Sequence, residues 1–254
     1  PIRESLGREI RKGIVAEKGN ILLAADYSQL ELRIIASFAN EKSMLEVFQS
    51  GGDIHTQTAA AVQGVSQDDV TPDMRRAAKE VNFGIIYGMG PHGLSQSTGM
   101  RVEEARDFID RYFDVYPGIQ EYMDQTLAHA RKSGYVETLF GRRRYIPELS
   151  STMFQVRSAA ERAAINMPIQ GTGADIIKSA MVEIDKKLQG DDFLNVRMIL
   201  QVHDELVFEL PEDRIADVAT LVKKEMEGVV ALAAPLVVAI KVGYNWGEMN
   251  TYDC

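Results

Sequence analysis

Three acidic residues raise the chemical question in this chain: Asp26, which ends the apolar run Ile21-Leu22-Leu23-Ala24-Ala25, and the pair Asp204-Glu205 within Gln201-Val202-His203-Asp204-Glu205. Taken singly, Asp26 reads as a turn former, a helix N-cap or a functional carboxylate. Asp204-Glu205 reads as an acidic turn or as part of a site. If the strands that carry them are neighbours, Asp26 and Asp204 meet at one end of a sheet, where two close carboxylates repel unless a cation sits between them. Mg²⁺ suits such a pair, because it takes oxygen ligands, keeps several waters and commonly completes its shell with substrate phosphates. Two such ions, roughly 3.5 to 4 Å apart, activate an attacking hydroxyl and steady a leaving phosphate oxygen.

A second constellation lies in TPDMRRAAKEVNFGIIYGMG, which begins at Thr71. Thr71 as N-cap and Pro72 as first helical residue predict a helix over about 72–87. Arg75, Lys79, Phe83 and Tyr87 then recur every four residues along one side. Two cations there could hold phosphates while two aromatics stack against a base and sugar. The competing reading buries Phe83 and Tyr87 in a core and leaves Arg75 and Lys79 in solvent. Gly84, which weakens a helix by about 1 kcal/mol relative to Ala, predicts a close approach to the backbone.

These groups need elements to position them. The run from Ile21 to Ala25 reads as a short buried strand, and Leu30, Ile34, Ile35 and Phe38 follow at helical spacing. From about Asn40 to Pro147 the pattern is almost entirely helical, with breaks at Gly51-Gly52, Gly88 to Pro91, Pro117-Gly118 and Gly134. Thr172-Gly173-Ala174-Asp175 has the form of a capping box, followed by the apolar stripe Ile176, Ile177, Ala180, Met181, Ile184 and Leu188. Val196 to Leu200 and Leu206 to Leu210 read as a hairpin around the acidic pair. A helix with Ile215, Val218, Leu221, Val222 and Met226 inward then leads to a strand from Leu236 to Val242. Strand, helix, hairpin, helix, strand predicts an α+β fold, an antiparallel sheet backed by helices with a mainly helical insertion.

Composition narrows the function classes. With 254 residues, 45% hydrophobic and 26% charged, the chain can bury one large core or two modest ones. Its one cysteine, Cys254, excludes an intrachain disulfide and a zinc site built on several thiolates. The charged start from Pro1 to Arg8 is no signal peptide, and the longest apolar run, Val229 to Ile240, is too short to span a bilayer. A first residue of Pro and not Met predicts a piece of something longer. The net charge of −9 argues against nucleic acid when averaged, yet basic clusters survive at Arg8-Arg11-Lys12, Arg75-Arg76-Lys79 and Arg142-Arg143-Arg144.

The motifs together resemble A-family DNA polymerases of the DNA polymerase I type. Asp26-Tyr27-Ser28-Gln29-Leu30-Glu31-Leu32-Arg33 is similar to motif A, Arg75 through Tyr87 to motif B, and Val202-His203-Asp204-Glu205 to motif C, in the family's order. Asp53-Ile54-His55, Gly141 to Arg144 and Glu161 to Asn166 leading to Gln170-Gly171-Thr172 also match, so the resemblance covers nearly the whole chain.

The resemblance implies a palm at 1–39 and 149–254 with fingers at 40–148. It implies template-directed 5′–3′ nucleotidyl transfer with two Mg²⁺ ions, Mn²⁺ being able to substitute. Asp26, Asp204 and the Tyr27 carbonyl would hold the metal, with Glu205 in support, and Lys79 would protonate departing pyrophosphate. Gln29, His55, Arg75, Lys79, Phe83 and Tyr87 would contact the incoming nucleotide, with Glu31 blocking a ribose 2′-OH. Arg162, Asn166, Gln170 and His203 would touch primer and template, their donors suiting minor-groove acceptors common to every correct pair. Pro168 places Arg162 and Asn166 at the end of one helix and Gln170 at the start of the next.

Relative to that family the chain is expected to start late, without counterparts of the thumb and exonuclease domains. Hence it is expected to lack proofreading and to bind DNA weakly. Glu80, directly after Lys79, departs from the pattern and is expected on another side of the helix. The expected partners are primer-template DNA and dNTPs, with no membrane, a monomeric state and a cytoplasmic or organellar setting for replication or repair. A catalytically inactive nucleotide- or DNA-binding fragment is the alternative. A nuclease using the same acids has no evident need for the Arg75, Lys79 and Phe83 arrangement.

Overall fold

The computed structural model describes residues 5–190 and 193–254, apart from the side chains of Ser5 and Arg8, so Arg8 of the first basic cluster lies outside the described side chains. The chain divides into two compact units: Pro1–Leu30, Ile176–Ala231 and Leu236–Cys254 form one, Glu31–Asp175 and Leu232–Pro235 the other.

In the first unit β1 (Asn20–Tyr27) is the middle strand of an antiparallel sheet. β5 (Glu205–Pro211) and β6 (Val238–Asn245) flank it, and β4 (Arg197–Val202) and β7 (Glu248–Thr251) complete the order β4-β5-β1-β6-β7. Leu22, Ala24 and Val207 are packed on one face by Ile14, Ala16, Leu200, Trp246 and Met249. Leu23, Ala25, Leu206 and Phe208 alternate to the other face and are fully buried. Burial on both faces explains why this strand is an unbroken apolar run and not an alternating one. α10 (Ile215–Gly228) packs on β1 and β6, burying Val218, Val222 and Met226, while Ile215 and Leu221 are only partly covered. α1 (Ser5–Lys12) precedes the sheet. The last strand begins two residues later than Leu236, and β7 lies beyond the expected set because Glu-Met-Asn-Thr carries little strand propensity.

The second unit is mainly helical: α2 (Leu30–Phe38), α3 (Lys42–Gln49), α4 (Ile54–Gln63), α5 (Pro72–Ile86), α6 (Pro91–Thr98), α7 (Val102–Val115) and α8 (Pro117–Ser133). α4 packs on α5 and α7, and α6 on the same two. Tyr112 and Tyr116 are fully buried among them. A short hairpin, β2 (Tyr135–Glu137) with β3 (Arg143–Tyr145), interrupts the helical insertion, and α9 (Phe154–Leu188) follows. Ala130, Val136, Ile146, Leu149, Ala160 and Ala164 share a core there.

Two expectations fail in α9. Pro168 does not separate two helices but lies inside a single helix of 35 residues. An interior proline costs about 3 kcal/mol, and burial of Ala164, Ile165, Ile169 and Thr172 around it outweighs that cost. Thr172 to Asp175 is likewise no capping box, since it lies mid-helix. Instead the Leu139 amide donates to Thr172 Oγ1 at 3.0 Å, and Asp175 accepts from Thr138 Oγ1 and Arg142 Nε, each at 2.8 Å. The polar set that resembles a cap fastens the tip of the β2–β3 hairpin.

Candidate active site

Antiparallel pairing places Asp26 directly opposite Glu205, and the Tyr27 amide donates to the Asp204 carbonyl at 3.2 Å. Asp26, Asp204 and Glu205 thus gather at one end of the sheet in the first unit. Asp26 belongs to β1, and α2 starts only at Leu30, so Asp26 is not the cap of that helix. Burial, then the Asp204 and Glu205 charges, push the Asp26 carboxyl up to about 6, against which Lys241 and Arg11 act. Burial also raises Asp204. Two carboxyls held above their ordinary range by burial, Asp26 also by the charges beside it, are what a divalent cation would relieve. Their donors are hard oxygens of the kind Mg²⁺ takes. Among the described residues, no three His, Cys, Asp or Glu side chains converge as a metal site.

The neighbouring groups are held by the same sheet. Tyr27 turns its hydroxyl to the Met226 carbonyl at 2.6 Å, and burial raises its pKa. Gln29 and His203 both occupy the left-handed region, with φ 52° and 55°. They form the turns that leave β1 and join β4 to β5. Glu205 accepts from Trp246 Nε1 at 2.8 Å and has the Arg11 guanidinium 3.7 Å away.

The second unit holds the other nucleotide candidates. Thr71 caps α5, its Oγ1 accepting from the Met74 amide at 3.2 Å, and Pro72 opens the helix. Ala77, Ala78, Val81, Asn82, Ile85 and Ile86 form the buried side, leaving Arg75 and Lys79 exposed, Phe83 half-buried and Tyr87 38% exposed. The reading that places Tyr87 in a core therefore fails. What approaches Gly84 is Met89, whose Sδ would lie 2.9 Å from an added Cβ. Glu80 lines a separate hollow with Asp73, Arg76 and Ser97, off the Arg75 face.

Arg75 is already engaged: its Nε donates to Asp53 Oδ2 at 2.6 Å. Asp53 also caps α4 through the His55 amide. Burial raises the Asp53 carboxyl, but hydrogen bonds from Arg75, Thr56 and the His55 amide overcome this and bring it to about 2. His55, 3% exposed, has Asn82 Nδ2 at 3.0 Å from its Nδ1 and the Phe83 ring at 5.8 Å. Burial is the main reason its pKa falls to about 4. Neutral and accepting at Nδ1, the ring carries its proton on Nε2. Lys79 makes no ion pair among the described residues. Tyr87 donates its hydroxyl to Glu31 Oε2 at 2.7 Å.

Arg162, Asn166 and Gln170 recur every four residues on the unbroken α9, a single helical face and not two helix ends. Arg162 donates to Ser158 Oγ at 2.9 Å, and its stem lies where a Cβ on Gly88 would be.

Sequence reasoning missed Asp53 as the partner of Arg75, although an Asp just before a helix is a recognisable cap. It also missed Arg11 and Trp246, which no spacing ties to Glu205.

Residues 1–248 match the family profile described as DNA polymerase family A. The chain is 50% identical over 246 residues to the thermostable DNA polymerase I of Thermus aquaticus, covering 97% of this chain and 29% of that protein. It is 54% identical over 246 residues to the DNA polymerase I of Deinococcus radiodurans, covering 97% and 25%. The chain thus spans under a third of the length of these curated relatives. A solved structure, the POL domain of Pol1 from M. smegmatis in complex with DNA primer-template and dNTP, matches with a TM-score of 0.92 and 43% identity over 97% of this chain and 44% of that one.

Proposed function

The chain belongs to DNA polymerase family A, and we propose that it performs template-directed DNA synthesis, transferring nucleotides from dNTPs to a primer 3′-OH. The observation that carries this is the pairing of Asp26 opposite Glu205 with Asp204 anchored beside them, at the end of a sheet. The primer-template and dNTP named with the M. smegmatis structure support DNA and nucleotide as ligands. In this reading residues 1–39 and 149–254 act as palm and 40–148 as fingers.

Asp26, Asp204 and the Tyr27 carbonyl would hold two Mg²⁺ ions, or Mn²⁺ in their place. Bound there, the metal would make the primer hydroxyl a better nucleophile and neutralise charge on the α-phosphate and leaving pyrophosphate. The remaining work is positioning and charge stabilisation. Arg75 and Lys79 offer cations to the triphosphate, and neutral His55 offers Nε2–H to a phosphate oxygen. Lys79 gives a proton to pyrophosphate as it leaves. Phe83 stacks near the incoming base, Gln29 flanks the nucleotide, and Glu31, held by Tyr87, excludes a 2′-OH. Arg162, Asn166, Gln170 and His203 present donors to minor-groove acceptors, which accept any sequence.

Pyrophosphate release from each dNTP in turn, on primer-templates differing in the next template base, tests this reading. Release should follow the complementary dNTP, require Mg²⁺ and fall more than about a hundredfold in Asp204→Asn, which removes a metal ligand. Nucleotide binding without release would instead mark an inactive fragment. A shortened primer would mark a nuclease.

A further inference from the structure

Glu205 is the third carboxylate at the acidic end of the sheet, and its side chain is engaged by groups outside the acidic set. Its Oε1 accepts from Trp246 Nε1 at 2.8 Å and lies 3.7 Å from Arg11, whose guanidinium stacks 3.8 Å from the Trp246 ring centre. Oε2 has no hydrogen-bond partner among the described residues. The clamp is itself fastened at both ends. The Trp246 amide donates to the Ile14 carbonyl at 3.0 Å, and the Ala16 amide to the Tyr244 carbonyl at 2.9 Å. A Cβ on Gly247 would come within 2.8 Å of the Lys12 amide nitrogen, so only glycine lets the end of α1 close over the β6–β7 turn. The basic cluster around Arg11 thereby has a use that is not DNA binding.

We propose that Trp246 and Arg11 withhold Glu205 from the metal, so that the site works with two carboxylates although Glu205 pairs directly opposite Asp26. This rests on the metal-site reading above. A third carboxylate ligand would tighten metal binding and take a coordination position that substrate phosphates would otherwise fill. It would also set a further negative charge against the incoming triphosphate. Trp246 and Arg11 are positioning residues: they act on Glu205 and touch no reacting atom.

The test is Mn²⁺ binding to the full chain without DNA or nucleotide, read from the electron-spin-resonance signal of the free ion. Trp246→Phe keeps a ring under Arg11 but loses the N–H donor. It should bind Mn²⁺ at least about threefold more tightly, as an added carboxylate ligand does. Trp246→Phe/Glu205→Gln should return to the affinity of Glu205→Gln, and Trp246→His, which can keep a ring N–H, should stay near wild type. Circular dichroism confirms folding of each variant. Loss of binding in Asp26→Ala together with wild-type affinity in Trp246→Phe would overturn the clamp while leaving the metal site. Unchanged binding in Asp26→Ala would overturn the metal site, and the clamp with it. Tightening in Trp246→His equal to that in Trp246→Phe would contradict the hydrogen bond as the cause.

Discussion

At the residue scale, several of the proposed site residues hold one another in place. Tyr87 fixes Glu31 through a 2.7 Å hydrogen bond, so two substitutions should loosen the same gate. Glu31→Ala should raise ribonucleotide incorporation by a factor on the order of ten or more, the size of a lost discriminating contact. Tyr87→Phe should move it in the same direction by less. Competition between rNTPs and dNTPs measures both, and unchanged discrimination in Glu31→Ala would remove Glu31 from that role.

His55 makes a second prediction at this scale. Burial holds it near 4 in the fold against 6.5 for the free side chain, so the unfolded chain takes up the proton first. Its contribution makes stability fall as pH drops from about 6.5 towards 4, by up to about 1.4 kcal/mol per unit, and is flat above that window. Urea unfolding at pH 7 and pH 5 should show a smaller difference for His55→Gln than for wild type. Equal differences would mean that the ring takes up its proton as readily in the fold as in the unfolded chain.

At the scale of elements, the β2–β3 hairpin hangs on one buried acid. Asp175, 5% exposed, accepts from Thr138 and Arg142, while the neighbouring Thr172 takes the Leu139 amide. Asp175→Ala leaves the Thr138 O–H, whose oxygen still accepts from the Phe140 and Arg142 amides, without its acceptor and should cost about 1–3 kcal/mol in thermal or denaturant unfolding. A loss within experimental error would mean that the hairpin tip is held elsewhere. The same segment shows where sequence reading stops. The strand of Asp26, the hairpin of Asp204 and the cap of α5 were legible because each depends on local signals: an apolar run, alternation, Thr-Pro. Thr172 to Asp175 carries a local cap signal that packing overrides, and Pro168 a local break signal that burial overrides. Trp246 on Glu205 and Asp53 on Arg75 are contacts between segments far apart in sequence, set by strand order and helix packing, which no local pattern contains.

At the scale of the whole molecule, net charge misleads. The chain carries −9, but contact with a polyanion depends on how cations are distributed, and several are already committed. Arg142 pairs with Asp175, Arg143 with Glu137 and Arg131 with Glu161. Arg75 shares Asp53 at an exposed site, where an ion pair is worth little enough to be exchanged for a phosphate. No helix among the described residues is long and apolar enough to cross a membrane. Family membership extends over residues 1–248, and Asp26 and Asp204 at one sheet end would carry the chemistry. The most direct test is extension of a labelled primer on a template with all four dNTPs and Mg²⁺, comparing the wild-type chain with Asp26→Ala. Template-matched extension by the wild type that disappears in the variant is the predicted result. Equal extension by both, or none by the folded wild-type chain, would contradict the account.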